Sequence, residues 1–149
     1  MIEKLNKKDI RKAALVYKNG ISLEIPKGNM QLKECIERLK NIECFVYKNK
    51  KIEGLVSFEL IKPVIRLDFI CSLKLRKGIG KKLIKKLADY ALRKKIKLIY
   101  SNVSSKDKRA LSFYKYLGFK KYGKYYANKN FLLYKIKASP SKILSSIKH

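Results

Sequence analysis

Nine residues, RKGIGKKLI from Arg76 to Ile84, constrain this chain more than any other stretch, because they join two segments of different periodicity. Ile65 to Cys71 before them is a short apolar run that reads as a buried strand, and Lys81 to Lys95 after them repeats apolar residues at helical spacing. Two glycines therefore sit where a strand turns into a helix. Gly78 and Gly80 place no side chain between a ligand and the backbone, and they permit dihedrals that a β-carbon forbids. The first amides of the helix have no intrahelical partner and carry the positive end of its dipole. Arg76, Lys77, Lys81 and Lys82 add formal charge, so the junction suits a phosphate; a glycine-softened turn with solvated lysines is the simpler alternative. Two other phosphate loops fail on spacing. A dinucleotide fingerprint needs glycine where Leu83 stands, and a P-loop needs Ser or Thr where Lys82 stands.

A chain of 149 residues is long enough for one well-buried core. No apolar run reaches the eighteen or so residues of a membrane span, and the start MIEKLNKKDI lacks a signal-peptide core, so a cytoplasmic protein is expected. Cys35, Cys44 and Cys71 show no paired metal spacing, and His149 is the one histidine, which argues against a zinc site or a histidine base within the fold. Cys71 reads as a small buried residue. The net charge of +27 attracts polyanions and repels polyamines, so RNA or ribosome association is open, although a proteome rich in Lys, Ile, Asn and Tyr produces such a charge without any partner.

Ile2 to Leu5 reads as a first strand, with Asn6 capping a helix to about Lys18 that Asn19-Gly20 stops. Ile21 to Gly28 reads as a loop, and Met30 to Lys40 as a second helix. Cys44 to Tyr47, Ile52 to Ile61 and Val64 to Cys71 read as three antiparallel strands. If Lys62-Pro63 is a two-residue hairpin loop, Ser57 falls opposite Asp68 and Glu59 opposite Arg66. Leu83, Ile84, Leu87, Ala88, Ala91 and Leu92 mark one face of the helix after the glycines. Ile96 to Val103 is a buried strand, Ser104 or Ser105 caps a helix that Gly118 ends, and Phe119 to Ile136 forms a hairpin.

Two helices, three antiparallel strands, a Gly-x-Gly turn into a helix, a strand, a helix and a closing hairpin resemble the GNAT superfamily of acetyl-CoA-dependent N-acetyltransferases. A second segment, DKRALSFYKYLGF from Asp107 to Phe119, is similar to the family's Asn-x-x-Ala stretch with its tyrosine and Leu-Gly-Phe ending. The resemblance implies an α/β fold with a mixed, mostly antiparallel sheet flanked by helices on both faces. It implies one catalytic domain over residues 1–137, followed by a tail over 138–149 that is frayed or forms a short helix. Acetyl-CoA would lay its pyrophosphate on the stretch Arg76, Lys77, Gly78, Ile79, Gly80 and Lys81, and its pantetheine arm along the strand near Ile70. Asp107 stands where the family has Asn, to hold the pantetheine or to cap the helix. Tyr114 falls at the family's general-acid tyrosine, a role worth roughly a hundredfold or more in rate; the alternative is a core tyrosine.

Two departures bear on the chemistry. Leu75 stands where the family has Gln or Arg, so that side-chain contact passes to Arg76 or is lost. The family's glutamate base falls near Val64, which leaves Asp68 or Glu59 as acidic substitutes. A site without a strong base favours an α-amine, with a pKa of about 7.7 to 8.0, over a lysine near 10.4. The expected acceptor is therefore a primary amine at a protein N-terminus, possibly ribosomal, or on an aminoacyl-tRNA, in a monomer or homodimer. The rival reading keeps the fold without the chemistry, as a basic RNA- or ribosome-binding module.

Overall fold

In the computed structural model, residues 1–24, 30–73 and 78–147 are described. The strands are β1 (Ile2–Lys4), β2 (Glu43–Asn49), β3 (Lys51–Ile61), β4 (Val64–Ser72), β5 (Leu98–Ser104), β6 (Lys120–Asn128) and β7 (Phe131–Ala138). The helices are α1 (Ile10–Glu24), α2 (Leu32–Lys40), α3 (Ile79–Arg93), α4 (Lys108–Tyr116) and α5 (Pro140–Ile147). The strands form one sheet in the order β1-β2-β3-β4-β5-β7-β6. β4 and β5 run parallel, while the β1–β2, β2–β3, β5–β7 and β6–β7 pairs are antiparallel. The expected mixed α/β architecture is the one observed.

The chain divides into two compact units, the first holding Met1–Glu59 and Leu67–Leu87 and the second Leu60–Arg66 and the residues from Ala88 on. In the first unit both sheet faces are covered. Ala13, Ala14, Val16 and Tyr17 of α1 and Cys35 and Leu39 of α2 pack with Cys44, Val46, Leu55 and Phe69 of the strands. On the other face, Ile79 and Leu83 of α3 come so close to Gly54 that a β-carbon there would lie 2.8 Å from Ile79 Cγ2. Leu83, Ile84, Leu87, Ala88 and Ala91 are fully buried, as the helical spacing requires, but Leu92 is 45% exposed. Each buried leucine or isoleucine contributes roughly 1.5–3 kcal/mol.

Several local expectations need correction. Asn6 caps a single 3₁₀ turn, Lys7–Asp9, by accepting from the Lys8 amide at 3.2 Å, and α1 follows. Asn19-Gly20 does not stop α1, which continues to Glu24. Gly20 serves packing instead: a β-carbon there would lie 2.7 Å from the Phe69 ring and 2.9 Å from Cys71 Cβ. The expected loop from Ile21 is thus helical to Glu24, and its remainder lies outside the described residues. Lys62-Pro63 does form a two-residue connection between β3 and β4, with a cis peptide.

In the second unit, β5 pairs with β7 through Ile99↔Ala138 to Ser104↔Leu133, and β7 pairs with β6. The α4 cap is Asp107, not Ser104 or Ser105. Gly118 ends that helix at φ +88°, the left-handed conformation expected of it. The residues after Lys137, where fraying was one expectation, complete β7 and form α5, whose Ile143 is fully buried.

Candidate active site

In the first unit the glycine turn meets the start of α3. Gly78 has φ +71°, which glycine adopts without strain, and a β-carbon there would meet no atom of the described residues within 4 Å. The first helical bond runs from the Lys82 amide to the Gly78 carbonyl at 3.1 Å, so the amides of Ile79 and Gly80 precede it. No acidic residue occupies the first turn of α3. Open space before a left-handed glycine, amides at a helix start and no competing carboxylate fit an anionic group such as the pyrophosphate of acetyl-CoA. Ile79 itself is buried against the sheet and Lys81 is exposed. The Lys82 ammonium lies 5.5 Å from the centre of the Tyr47 ring, which directs it toward β2. Leu75, Arg76 and Lys77 lie outside the described residues. Ile70 is half-buried in β4, two residues beyond Asp68.

Three side-chain donors reach the Asp68 carboxylate. Arg38 donates to its Oδ1 at 2.6 Å, while Ser57 and Tyr17 donate to its Oδ2 at 2.8 and 3.0 Å. Burial, then the charge of Asp68 and its hydrogen bond, push the Tyr17 phenol above the usual tyrosine range. The Arg38 guanidinium also lies 3.7 Å from Glu59. Ser57 meets Asp68, as the hairpin register requires. Tyr17 and Arg38, which stand 51 and 30 positions away in sequence, carried no local signal of their part in the cluster.

The second unit carries the DKRALSFYKYLGF segment. Asp107 Oδ1 accepts from the Ala110 amide at 3.0 Å, so the capping alternative is realised. Tyr114 is buried, its ring held edge-on by Phe113 at 5.5 Å and Phe119 at 5.1 Å between centroids. It lines a cavity of about 510 Å³ whose other lining residues include Leu111, Phe119, Ile136 and four lysines, Lys108, Lys115, Lys120 and Lys121. Among the described residues no cluster of His, Cys, Asp and Glu is arranged to hold a metal, and no helix is long and apolar enough to cross a membrane.

The fold has many known counterparts. A ribosomal-protein-alanine N-acetyltransferase from Brucella melitensis superposes with a TM-score of 0.78 at 16% identity, covering 93% of this chain and 99% of the other. The ribosomal-protein-S18-alanine N-acetyltransferase of Escherichia coli gives 0.76 at 16% identity, covering 93% and 92%. Spermidine N-acetyltransferase from Vibrio cholerae, solved with CoA and spermine, gives 0.77 at 20% identity, covering 97% of each chain. No curated protein matches at the level of sequence. At these identities the likeness is one of fold. The sequence model of the acetyltransferase (GNAT) family, however, matches residues 29–119, which span the α2 helix, both signature segments and the strands between them. On that match the chain belongs to the acetyltransferase (GNAT) family, enzymes that use acetyl-CoA as acyl donor.

Proposed function

We propose that this acetyltransferase modifies an α-amine, at a protein N-terminus such as a ribosomal one or on an aminoacyl-tRNA. The state of Asp68 carries the reading. Three donors occupy its carboxylate, and Glu59 stands beside the same arginine, so both acidic substitutes for the missing base are engaged. An amine that needs no strong base fits such a site, and an α-amine near pKa 8 is substantially neutral at cellular pH while a lysine near 10.4 is not. The net charge of +27 also disfavours spermidine and other polycations. Two of the structural counterparts are named as ribosomal-protein-alanine acetyltransferases, which supports the same class; the spermidine enzyme among them is the competing precedent.

Acetyl-CoA supplies an acyl group activated as a thioester. Gly78, Ile79, Gly80 and Lys81 would hold its pyrophosphate, and Ile70 would border its pantetheine arm. Tyr114 holds a proton at its phenol oxygen for the departing thiolate, and the flanking Phe113 and Phe119 rings fix its orientation. The acceptor amine attacks directly, without a covalent enzyme intermediate.

Incubating the protein with acetyl-CoA and three acceptors tests the proposal, with mass spectrometry locating the acetyl group. The acceptors are a peptide with a free N-terminus and dimethylated lysines, the same peptide N-terminally blocked with free lysines, and spermidine. Acetylation of the first alone is expected. Preferential acetylation of the lysine peptide or of spermidine would overturn the α-amine reading.

A further inference from the structure

The β5, β7 and β6 strands leave one face in water. Directly opposed residues share a side of a sheet, so Tyr100, Lys137 and Lys120 lie on one face, and Asn102 and Lys135 lie with them. Two tyrosines complete it. The Lys137 ammonium lies 4.9 Å from the centre of the Tyr122 ring, and the Lys135 ammonium 5.6 Å from that of Tyr125. The other side is the buried one, with Ile99, Val103 and Ile136. Tyr122 remains 47% exposed and Tyr125 38%, on a strand that ends the sheet.

The charge of this face points outward. None of the three strands contains Asp or Glu, and none occurs from Lys108 to the C-terminus, while lysines recur throughout. Lys120 stands directly opposite Lys137, a like-charge pair that a sheet disfavours and that an external anion relieves. An acidic protein would meet the charge and leave the rings unused. A single strand of nucleic acid supplies both partners, because phosphates alternate along it with flat bases that a duplex would hide.

We propose that the Tyr122 and Tyr125 face of β5, β7 and β6 binds single-stranded RNA, with bases stacked on the two rings and phosphates held by Lys120, Lys135 and Lys137. An exposed cation–π contact is worth only a factor of a few, whereas a base on an aromatic ring is worth about five- to a hundredfold. A base therefore displaces the ammonium from the ring and leaves it placed for the adjoining phosphate. The exposed Asn102 amide and the phenol hydroxyls offer partners to the ribose 2′-hydroxyl, which distinguishes RNA from DNA. The proposal does not depend on which amine is acetylated.

Fluorescence anisotropy with a labelled oligouridine and nuclease-treated full-length protein tests it. The Tyr122→Ala, Tyr125→Ala double variant is expected to bind at least about tenfold more weakly, with an unchanged melting temperature and unchanged affinity for acetyl-CoA. A Tyr122→Leu, Tyr125→Leu pair, which keeps apolar bulk without a π-face, is expected to lose as much and guards against misfolding of the first. Lys135→Gln with Lys137→Gln should flatten the log–log salt dependence by about 1.4, while Lys33→Gln with Lys40→Gln on α2 should flatten it less. Full affinity in both tyrosine variants would overturn the proposal, as would equal binding of duplex RNA or heparin. Single-stranded DNA bound as tightly as RNA would overturn the choice of RNA. A dimer in sedimentation that the tyrosine variants dissociate would assign the face to a second copy of the chain instead.

Discussion

Gly54 links the sheet to the start of α3, and replacing it with alanine tests whether that link sets donor affinity. A β-carbon there would lie 2.8 Å from the Cys71 carbonyl oxygen, 2.8 Å from Ile79 Cγ2 and 3.3 Å from Leu83 Cδ1. The Cys71 oxygen belongs to the β4 backbone and cannot rotate away, so the new methyl pushes Ile79 and the first turn of α3 off the sheet. Overpacking of this kind costs about 1–3 kcal/mol. The lost freedom of the unfolded chain returns about 0.4–1 kcal/mol, and the midpoints of the two ranges leave a net cost of about 1.3 kcal/mol. At this chain length each kcal/mol moves the melting temperature by about 2–4 °C, so a fall of about 3–5 °C is expected. Displacing the Ile79 and Gly80 amides should also weaken acetyl-CoA binding by on the order of tenfold, or about 1.4 kcal/mol. Thermal unfolding followed by circular dichroism reads the first effect, and calorimetric titration with acetyl-CoA reads the second. Gly123→Ala, whose β-carbon would come no closer than 3.4 Å to Lys135, is the control. Wild-type melting and affinity in Gly54→Ala would refute the packing argument, and lower stability with full affinity would refute the role of the α3 start in donor binding.

Tyr114→Phe should lower kcat about a hundredfold or more and leave acetyl-CoA affinity nearly unchanged; a variant with normal turnover removes Tyr114 from the chemistry. Asp68→Asn removes the shorter of the two carboxylate contacts of the Arg38 guanidinium, leaving Glu59 at 3.7 Å, and should destabilise the protein by about 1–3 kcal/mol, seen as a lower urea midpoint; an unchanged midpoint with a shifted pH–rate profile would instead make Asp68 a base. The raised Tyr17 phenol leaves stability complete below the unfolded tyrosine value near 10.0, and stability then falls as pH rises toward the folded value, because the unfolded chain releases its proton first. Above that pH the wild type should lose about 1.4 kcal/mol per pH unit more than Tyr17→Phe, and parallel urea-midpoint profiles for the two would contradict this. Ile143→Ala in the fully buried position of α5 should cost about 2–5 kcal/mol, whereas a change below 0.5 kcal/mol by denaturant titration would mean that α5 is not docked.

Local chemistry made most of the elements legible. The Gly78 turn, the buried stripe from Leu83 to Ala91, the Lys62-Pro63 connection and the Gly118 stop each follow from spacing and from residues with particular backbone freedom. Where the reading failed, a tertiary contact outweighed a local preference. Gly20 looks like a helix stop until Phe69 and Cys71 are seen to fill the space of its missing β-carbon, and α1 runs through it. Leu92 fits the apolar stripe by spacing yet lies in water. The residues after Lys137 have weak helical signals of their own, and burial of Ile143 supplies the energy that orders α5.

The candidate site divides along the same line. The sequence alone determined the glycine turn before α3, the family and the positions of Asp107 and Tyr114, because short motifs keep their local geometry wherever the fold carries them. Only the tertiary structure decided the state of Asp68. A carboxylate is a base or an anchor according to which donors reach it, and the Tyr17 and Arg38 donors come from α1 and α2, far from β4 in sequence and joined to it by packing of the core.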